Sequence, residues 1–197
     1  MNFSRYRYLP AAISAIVLTV LSSCGAVQPT VVEKLDELTA VTITHGRTPL
    51  ILSPDEPYSR ANERDFLQLG AIEVNRMGAR KYYLWLGISD LNLMADETKY
   101  PEEFNSILLV GHGETIRLDV YGWTSVAIGA TDPVYEKLFG SSIDAYYEVN
   151  LDQIRLLTDA DNLKLRTTGS SPKEFGSWYK QATFKSDLSE FLQIVSQ

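Results

Sequence analysis

Between Lys81 and Ser89 the chain places Tyr82, Leu84, Leu86 and Ile88 at even positions and Tyr83, Trp85 and Gly87 at odd ones. Strict alternation fits a β-strand, whose successive side chains point to opposite faces. It does not fit a helix, whose apolar residues recur every three or four positions. Phe66–Arg76 precedes this run, and Met77-Gly78-Ala79-Arg80 supplies a turn in which Gly78 is free to take a positive φ, so the two arms form a hairpin. A second hairpin joins Ser106–Val110 to Glu114–Trp123 across Gly111-His112-Gly113. Its second arm alternates Ile116, Leu118 and Val120 with Thr115, Arg117, Asp119 and Tyr121.

Further strands are expected at Leu38–Thr44, Leu50–Leu52, Thr124–Ile128, Ala145–Val149, Leu163–Thr167 and Trp178–Phe184. Helical signals interrupt them. Asn150 can cap Leu151–Ala160, with Gln153 completing a capping box. Ser186 can cap Asp187–Val195, whose Leu188, Leu192 and Val195 form one apolar stripe. Asp132-Pro133 can start a short helix through Leu138. The expected fold is mainly β with minor α: a single antiparallel β-sandwich or barrel-like domain with two or three short helices, one closing the C-terminus. Its length of 197 residues suits one domain, and 45% hydrophobic with 22% charged residues excludes a disordered or polytopic membrane chain.

The first 24 residues have a different character. Arg5 and Arg7 form a basic start, and Ala11–Leu21 is an apolar run of eleven residues. A bilayer core needs about 20 apolar residues in a helix, so this run reads as the apolar region of a signal peptide. Ser22 and Ser23 then lead to the only cysteine, Cys24. Leu21-Ser22-Ser23-Cys24 closely resembles the lipobox of bacterial lipoproteins. That resemblance implies diacylglyceryl transfer to the Cys24 thiol, cleavage before it and acylation, typically by palmitate, of the new amino group. Two or three acyl chains on one residue make attachment effectively permanent. Gly25 stands where an inner-membrane retention signal would be aspartate, so the resemblance implies an outer-membrane lipoprotein facing the periplasm. The expected organisation is a signal peptide over residues 1–23, a lipidated cysteine and tether over 24–34, and one β-rich domain over 35–197. The order of strand Ala145–Val149, helix, strands Leu163–Thr167 and Trp178–Phe184, and closing helix is similar to a segment of uncharacterised bacterial secreted and lipoprotein families, a resemblance that names no activity.

Cleavage removes two of the 18 basic residues and none of the 25 acids, leaving a formal charge of −9. An acidic chain does not offer the basic surface that nucleic acid requires. With no second cysteine, stability rests on packing rather than on disulfides.

Local catalytic signatures are missing from the sequence: no G-x-S-x-G elbow, P-loop, G-x-G-x-x-G, H-E-x-x-H or C-x-x-C occurs. No catalytic residue, metal site or cofactor is assigned. His45 and His112 each precede a glycine and read as solvated turn residues. Asp159-Ala160-Asp161 is followed by Asn162-Leu163-Lys164 and reads as a polar turn rather than a calcium loop. Asp55-Glu56 reads as a loop, and Glu102-Glu103 after Pro101 as a helical start. Paired carboxylates for glycoside chemistry are not selected by any local pattern.

The candidate binding strip is Tyr83, Trp85 and Tyr121, each out of phase with the aliphatic face of its strand. Exposed together, they would offer a surface for a sugar or a partner protein. The competing expectation is a second layer, such as the closing helix, covering them. Three functions follow from this reading. The leading one is a non-enzymatic accessory or binding domain held at the membrane by Cys24, with an envelope protein or glycan as candidate partner. The others are a lipid-anchored hydrolase of envelope sugars or peptides and a carrier of a small ligand or lipid. A flat aromatic patch, a cleft with two carboxylates, or a deep apolar cavity would separate the three.

Overall fold

The computed structural model describes residues 29–54, 66–89, 100–138, 142–179 and 181–197; Cys24, the apolar run before it and Asp55-Glu56 lie outside them. The strands are β1 (Val31–Asp36), β2 (Val41–Gly46), β3 (Leu50–Pro54), β4 (Phe66–Arg76), β5 (Ala79–Ser89), β6 (Ser106–Gly111), β7 (Glu114–Asp119), β8 (Ile143–Val149), β9 (Lys164–Thr167) and β10 (Glu174–Tyr179). They form one antiparallel sheet in the order β1-β2-β4-β3-β10-β9-β6-β7, with β5 on the other edge of β4 and β8 beyond β5. The sheet curls on itself. Just past β7 the Tyr121 N–H donates to the Tyr146 carbonyl of β8 at 2.7 Å, and the Tyr146 N–H donates to Gly122 O at 2.8 Å. The architecture is therefore mainly antiparallel β and sandwich-like, with α1 (Leu151–Arg155) and a closing helix α2 (Gln181–Val195).

The alternation along β5 divides its side chains between two cores. Leu84, Leu86 and Ile88 join Leu67 and Leu69 of β4 in a large interior cluster that includes Tyr147 and Phe175. The other parity, Tyr83 and Trp85, joins Ile72 and Val74 in a smaller cluster with Ile128, Ala130, Tyr135 and Tyr146. A strand buried on both faces must be apolar at both parities, as β5 is. Helix α2 directs Phe184, Leu188, Phe191 and Val195 into the large core. Its last turn is tied down where Arg80 donates to Val195 O at 3.1 Å.

Several elements differ from the sequence expectation. Residues 31–34, expected in the tether, belong to β1, which pairs along its whole length with β2. Leu38–Ala40 form the β1–β2 turn rather than a strand, with Ala40 at φ 53° and Asp36 accepting the N–H groups of Leu38 and Thr39. The arm expected over Glu114–Trp123 ends at Asp119, because from Tyr121 its backbone bonds turn to β8. Ser125–Ile128 is a 3-10 turn closed by Gly129 at φ 87°. The strand expected at Trp178–Phe184 is shifted to Glu174–Tyr179, and Phe184 lies in α2. Phe184 stands four residues before Leu188, so it extends the helical stripe as naturally as it ends an alternation. Ser186 is consequently inside the helix rather than its cap. The capping box of α1 is present: Asn150 Oδ1 accepts the Gln153 N–H and Gln153 Oε1 accepts the Asn150 N–H, each at 2.9 Å. That helix tightens to 3-10 over Leu156–Asp159. No helix is found at 132–138.

Candidate functional site

Residues 131–138 cross the outer face of β1, β2 and β4 as an irregular strap. Both ends and the middle are pinned by side chains from the sheet. Buried Asp36 accepts from the Thr131 N–H at 2.6 Å and the Thr131 hydroxyl at 2.7 Å. These bonds, the hydroxyl first, with those from Leu38 and Thr39, hold its carboxyl down to about 2. Lys34 pairs with Asp132 at 2.7 Å. Buried Gln68 donates to Glu136 O at 3.2 Å and accepts the Leu138 N–H at 2.7 Å. The Leu138 N–H would otherwise donate to Val134 O in a helix here, and its capture by Gln68 favours the strap. Lys137 pairs with Asp144 at 3.0 Å and donates to Ser142 O at 2.8 Å, while Asp144 accepts the Trp85 indole N–H at 3.0 Å.

Tyr135 is the centre of the strap. Its ring stacks on Trp85 with centroids 4.7 Å apart and meets His45 edge-on at 4.6 Å. The position is opened by a change of partner along one edge of β4. β2 pairs with residues 72–75 and β3 with residues 67–69, which leaves Gly70 and Ala71 between the two ladders. The Tyr135 hydroxyl donates to Ala71 O at 2.8 Å and is pushed up in pKa by burial. A Cβ on Gly70 would collide with the Tyr135 ring, so glycine is required there.

Between the strap and the wall formed by β1–β3 lies an open cleft of about 650 Å³. The register of β1 on β2 sets Val32 opposite His45 and Lys34 opposite Ile43, so Val32, Lys34 and His45 share one face; Arg47, just past the end of β2, also lines the cleft. His45 is 8% exposed. Its Nδ1 lies 2.8 Å from Gly46 O, an acceptor, which places the ring hydrogen on Nδ1 and leaves Nε2 as an acceptor. Burial, reinforced by the nearby Arg47, lowers the pKa of His45 and keeps the ring neutral. Among the described residues Glu136 is the only carboxylate lining the cleft, against Lys34, Arg47 and Lys137. Across the sheet from this cleft, the void between Tyr135 and the α2 residues Phe184, Asp187, Leu188 and Phe191 measures about 10 Å³, too small for more than one water.

The sequence-derived strip is corrected by this arrangement. Tyr83 and Trp85 are 2% and 1% exposed, beneath Ile128, Ala130 and Tyr135. The covering layer is the chain from 124 to 138, and α2 packs elsewhere. Tyr121 is 48% exposed and touches Tyr83, with centroids 5.4 Å apart, but it is not joined to Trp85 in a surface patch. His45 is also corrected: it lies within β2 and is buried, not at a solvated turn. Val41, Ile43 and His45 continue one period-two set, the signal that extends β2 to this residue. His112 does occupy a turn, at φ 53°, with Nε2 2.8 Å from the Thr158 hydroxyl. Asp159 is engaged by the His112 N–H and Asn162, and Asp161 by Lys185. Among the described residues no group of three or more His, Cys, Asp or Glu side chains is placed to hold a metal, and no helix is long and apolar enough to cross a membrane.

Comparison of the chain with protein-family models, with curated proteins and with solved structures yields no match.

Proposed function

We propose that this chain is a lipid-anchored bacterial envelope protein whose β domain binds a ligand in the cleft between the β1–β2 hairpin and the 131–138 strap, without acting on it as an enzyme. The observation that carries the reading is the state of the polar groups around that cleft. Asp36, Gln68 and the Tyr135 hydroxyl are engaged in holding the strap, and the buried, neutral His45 lines the opening. Such a wall fixes and orients a ligand. Glycoside hydrolysis needs two carboxylates at defined separation, and among the described residues the cleft lining supplies Glu136 alone. A carrier needs interior room, and the interior is packed with side chains such as Leu69, Leu86 and Phe175.

The lipobox motif supports the anchor. The sheet begins at Val31, so six residues separate it from Cys24, a reach of about 20 Å when extended. Lipid on Cys24 would hold the domain close to the bilayer, on the periplasmic side of the outer membrane, with a membrane component, envelope protein or glycan within range. The anchor is tested by metabolic labelling with a palmitate analogue. The native chain takes up label and fractionates with membranes, whereas Cys24→Ser remains unlabelled and uncleaved. Equal label on both would overturn it. The cleft is tested by hydrogen exchange of the strap amides with and without the low-molecular-mass fraction of an envelope extract. Protection confined to the strap and β1 supports ligand binding, and uniform exchange in both samples overturns it.

A further inference from the structure

The four most exposed large hydrophobic side chains among the described residues all stand at one end of the domain: Met77 at 97%, Leu38 at 84%, Val126 at 71% and Leu35 at 59%. The strand register brings them together. Leu35 lies opposite Thr42 of β2, and Thr42 lies opposite Asn75 of β4. The β1–β2 turn carrying Leu38 and the β4–β5 turn carrying Met77 therefore project side by side. The 3-10 turn carrying Val126 ends at Gly129, where a Cβ would lie 3.0 Å from Arg76 Nη2 and 3.9 Å from Val41 Cγ1, so this turn packs beside both hairpins. Each hairpin turn holds a non-glycine residue at φ 53°, Ala40 in one and Met77 in the other. At 97% exposure, packing within the fold does not account for methionine at a position that disfavours it.

We propose that this end dips into the surface of the bilayer that holds the Cys24 lipid, so that the domain meets the membrane at two points. The inference goes beyond the cleft reading and shares only the anchor with it. The four side chains project from three separate turns and the edge strand β1 rather than forming a flat or concave face. A protein partner must match such a set of projections, whereas fluid lipid closes around each of them. Charge does not drive the contact: Lys34, Arg80 and Lys81 are paired with Asp132, Glu73 and Glu148, so anionic lipid is not required. Tyr121 is half exposed, with Lys81 Nζ 5.7 Å above its ring. Lys81 stands two residues behind Ala79 on β5, about 7 Å from the turn, which sets the Tyr121 ring at head-group depth when the tips are inserted. An amphipathic ring suits that level. The chain enters β1 at its other end, where Arg47 donates to Thr30 O and Pro29 O. From Pro29 to Asp36 the extended chain runs about 24 Å, and from Pro29 back to Cys24 it reaches about 17 Å. A tether running back along the hairpin therefore brings Cys24 within about 7 Å of the level of the tips, inside the roughly 5–10 Å by which interfacial elements enter a bilayer.

The experiment uses the full lipidated chain in vesicles of phosphatidylcholine and phosphatidylethanolamine. Met77→Cys, Leu38→Cys and Ser171→Cys are each labelled with a polarity-sensitive fluorophore; acylation of Cys24 leaves the introduced thiol as the one open to label. Ser171 is an exposed control in the loop before β10, at the other end of the sheet, where Phe175 pairs with Pro54 and Leu52 with Leu67 near the start of β4. With a nitroxide placed high on the lipid acyl chain, the labels at 77 and 38 should be blue-shifted and quenched, and the label at 171 should be neither. Adding Leu38→Asp to the Met77→Cys chain should remove most of the quenching at 77 while the chain still floats with the vesicles. Quenching at 77 and 38 no greater than at 171 would overturn the inference, and that is also the outcome if this end docks on a protein. The anchor is read separately, by flotation and by the number of labels per chain. One label and flotation with unquenched tips would keep the anchor and remove the insertion. Two labels would remove the anchor, and the tips are then read in the Cys24→Ser background: quenching confined to positions 77 and 38 keeps the insertion, and none removes both.

Discussion

The hydroxyl of Tyr135 donates to the main-chain carbonyl of Ala71 at 2.8 Å, at the point of β4 where neither β2 nor β3 provides a partner. A side chain from a segment more than sixty residues away in sequence thereby completes a sheet ladder. The same ring fills the space above Gly70 and stacks on Trp85. Strap, small core and cleft wall therefore depend on one residue.

Tyr135→Phe is expected to retain the stack and lose the bond, leaving Ala71 O buried without its donor. That costs about 1–3 kcal/mol. Tyr135→Ala adds the cavity and should cost about 3–5 kcal/mol. Urea denaturation monitored by circular dichroism measures both. Equal stability of Tyr135→Phe and the native chain would show that Ala71 O is satisfied another way.

Trp85 separates a surface element from a core element. At 1% exposure, with its ring on Tyr135 and its N–H donated to Asp144, it should behave as core. Trp85→Ala is expected to lower stability by about 3–5 kcal/mol. A loss under about 1 kcal/mol would return Trp85 to the surface.

What the sequence disclosed follows the range of each signal. The β4–β5 hairpin, the capping box of Asn150 and Gln153, and the two-faced character of β5 depend on neighbours a few residues apart, and all were readable. Which segment covers Tyr83 and Trp85 was not. It depends on Ile128 and Tyr135, in a segment whose Asp132-Pro133 start resembles a helix and whose backbone is instead taken by Gln68, about 70 residues earlier. Lys34 and His45 came to one face only through the pairing of β1 with β2, and β1 is short and half polar, with little alternation to announce it. The cleft is assembled from four separate stretches of chain, so no local pattern announces it.

The β4–β5 turn contains a conformational cost that can be relieved. Met77 and Gly78 both have positive φ, 53° and 90°, the pattern of a two-residue type I′ turn. Methionine is disfavoured there and its side chain is 97% exposed, so it gains nothing from packing. Met77→Asn creates the favoured Asn-Gly pair and should stabilise by about 0.5–1 kcal/mol. Gly78→Val, whose Cβ meets no atom within 4 Å but which holds a disfavoured φ, should destabilise by about 1–2 kcal/mol. Thermal melts of the two variants should move in opposite directions, and a shift of the same sign would contradict the turn assignment.

Asp36 gives the strap an acid limit. Its carboxyl accepts from the Thr131 hydroxyl and N–H and from the N–H groups of Thr39 and Leu38, and these bonds favour the charged form. The folded-state value of about 2 lies below the ordinary 3.8, so the folded chain binds fewer protons than the unfolded one at intermediate pH. Stability from this group is complete above about pH 4 and is lost as pH falls toward about 2. His45, whose pKa is also lowered, acts in a higher window: its contribution begins to fall away below its ordinary 6.5, because the buried ring resists protonation. The two are separable by variant. Asp36→Asn cannot accept from all four donors, since its amide nitrogen is itself a donor, so it should be less stable than the native chain at pH 6. It should also lack the native chain's additional loss between about pH 4 and 2. Melting temperatures of the two proteins plotted against pH should therefore converge on acidification, with the strap amides of the native chain gaining hydrogen exchange over the same interval. Parallel curves through that interval would assign the acid sensitivity to another carboxylate and remove Asp36 as the clasp of the strap.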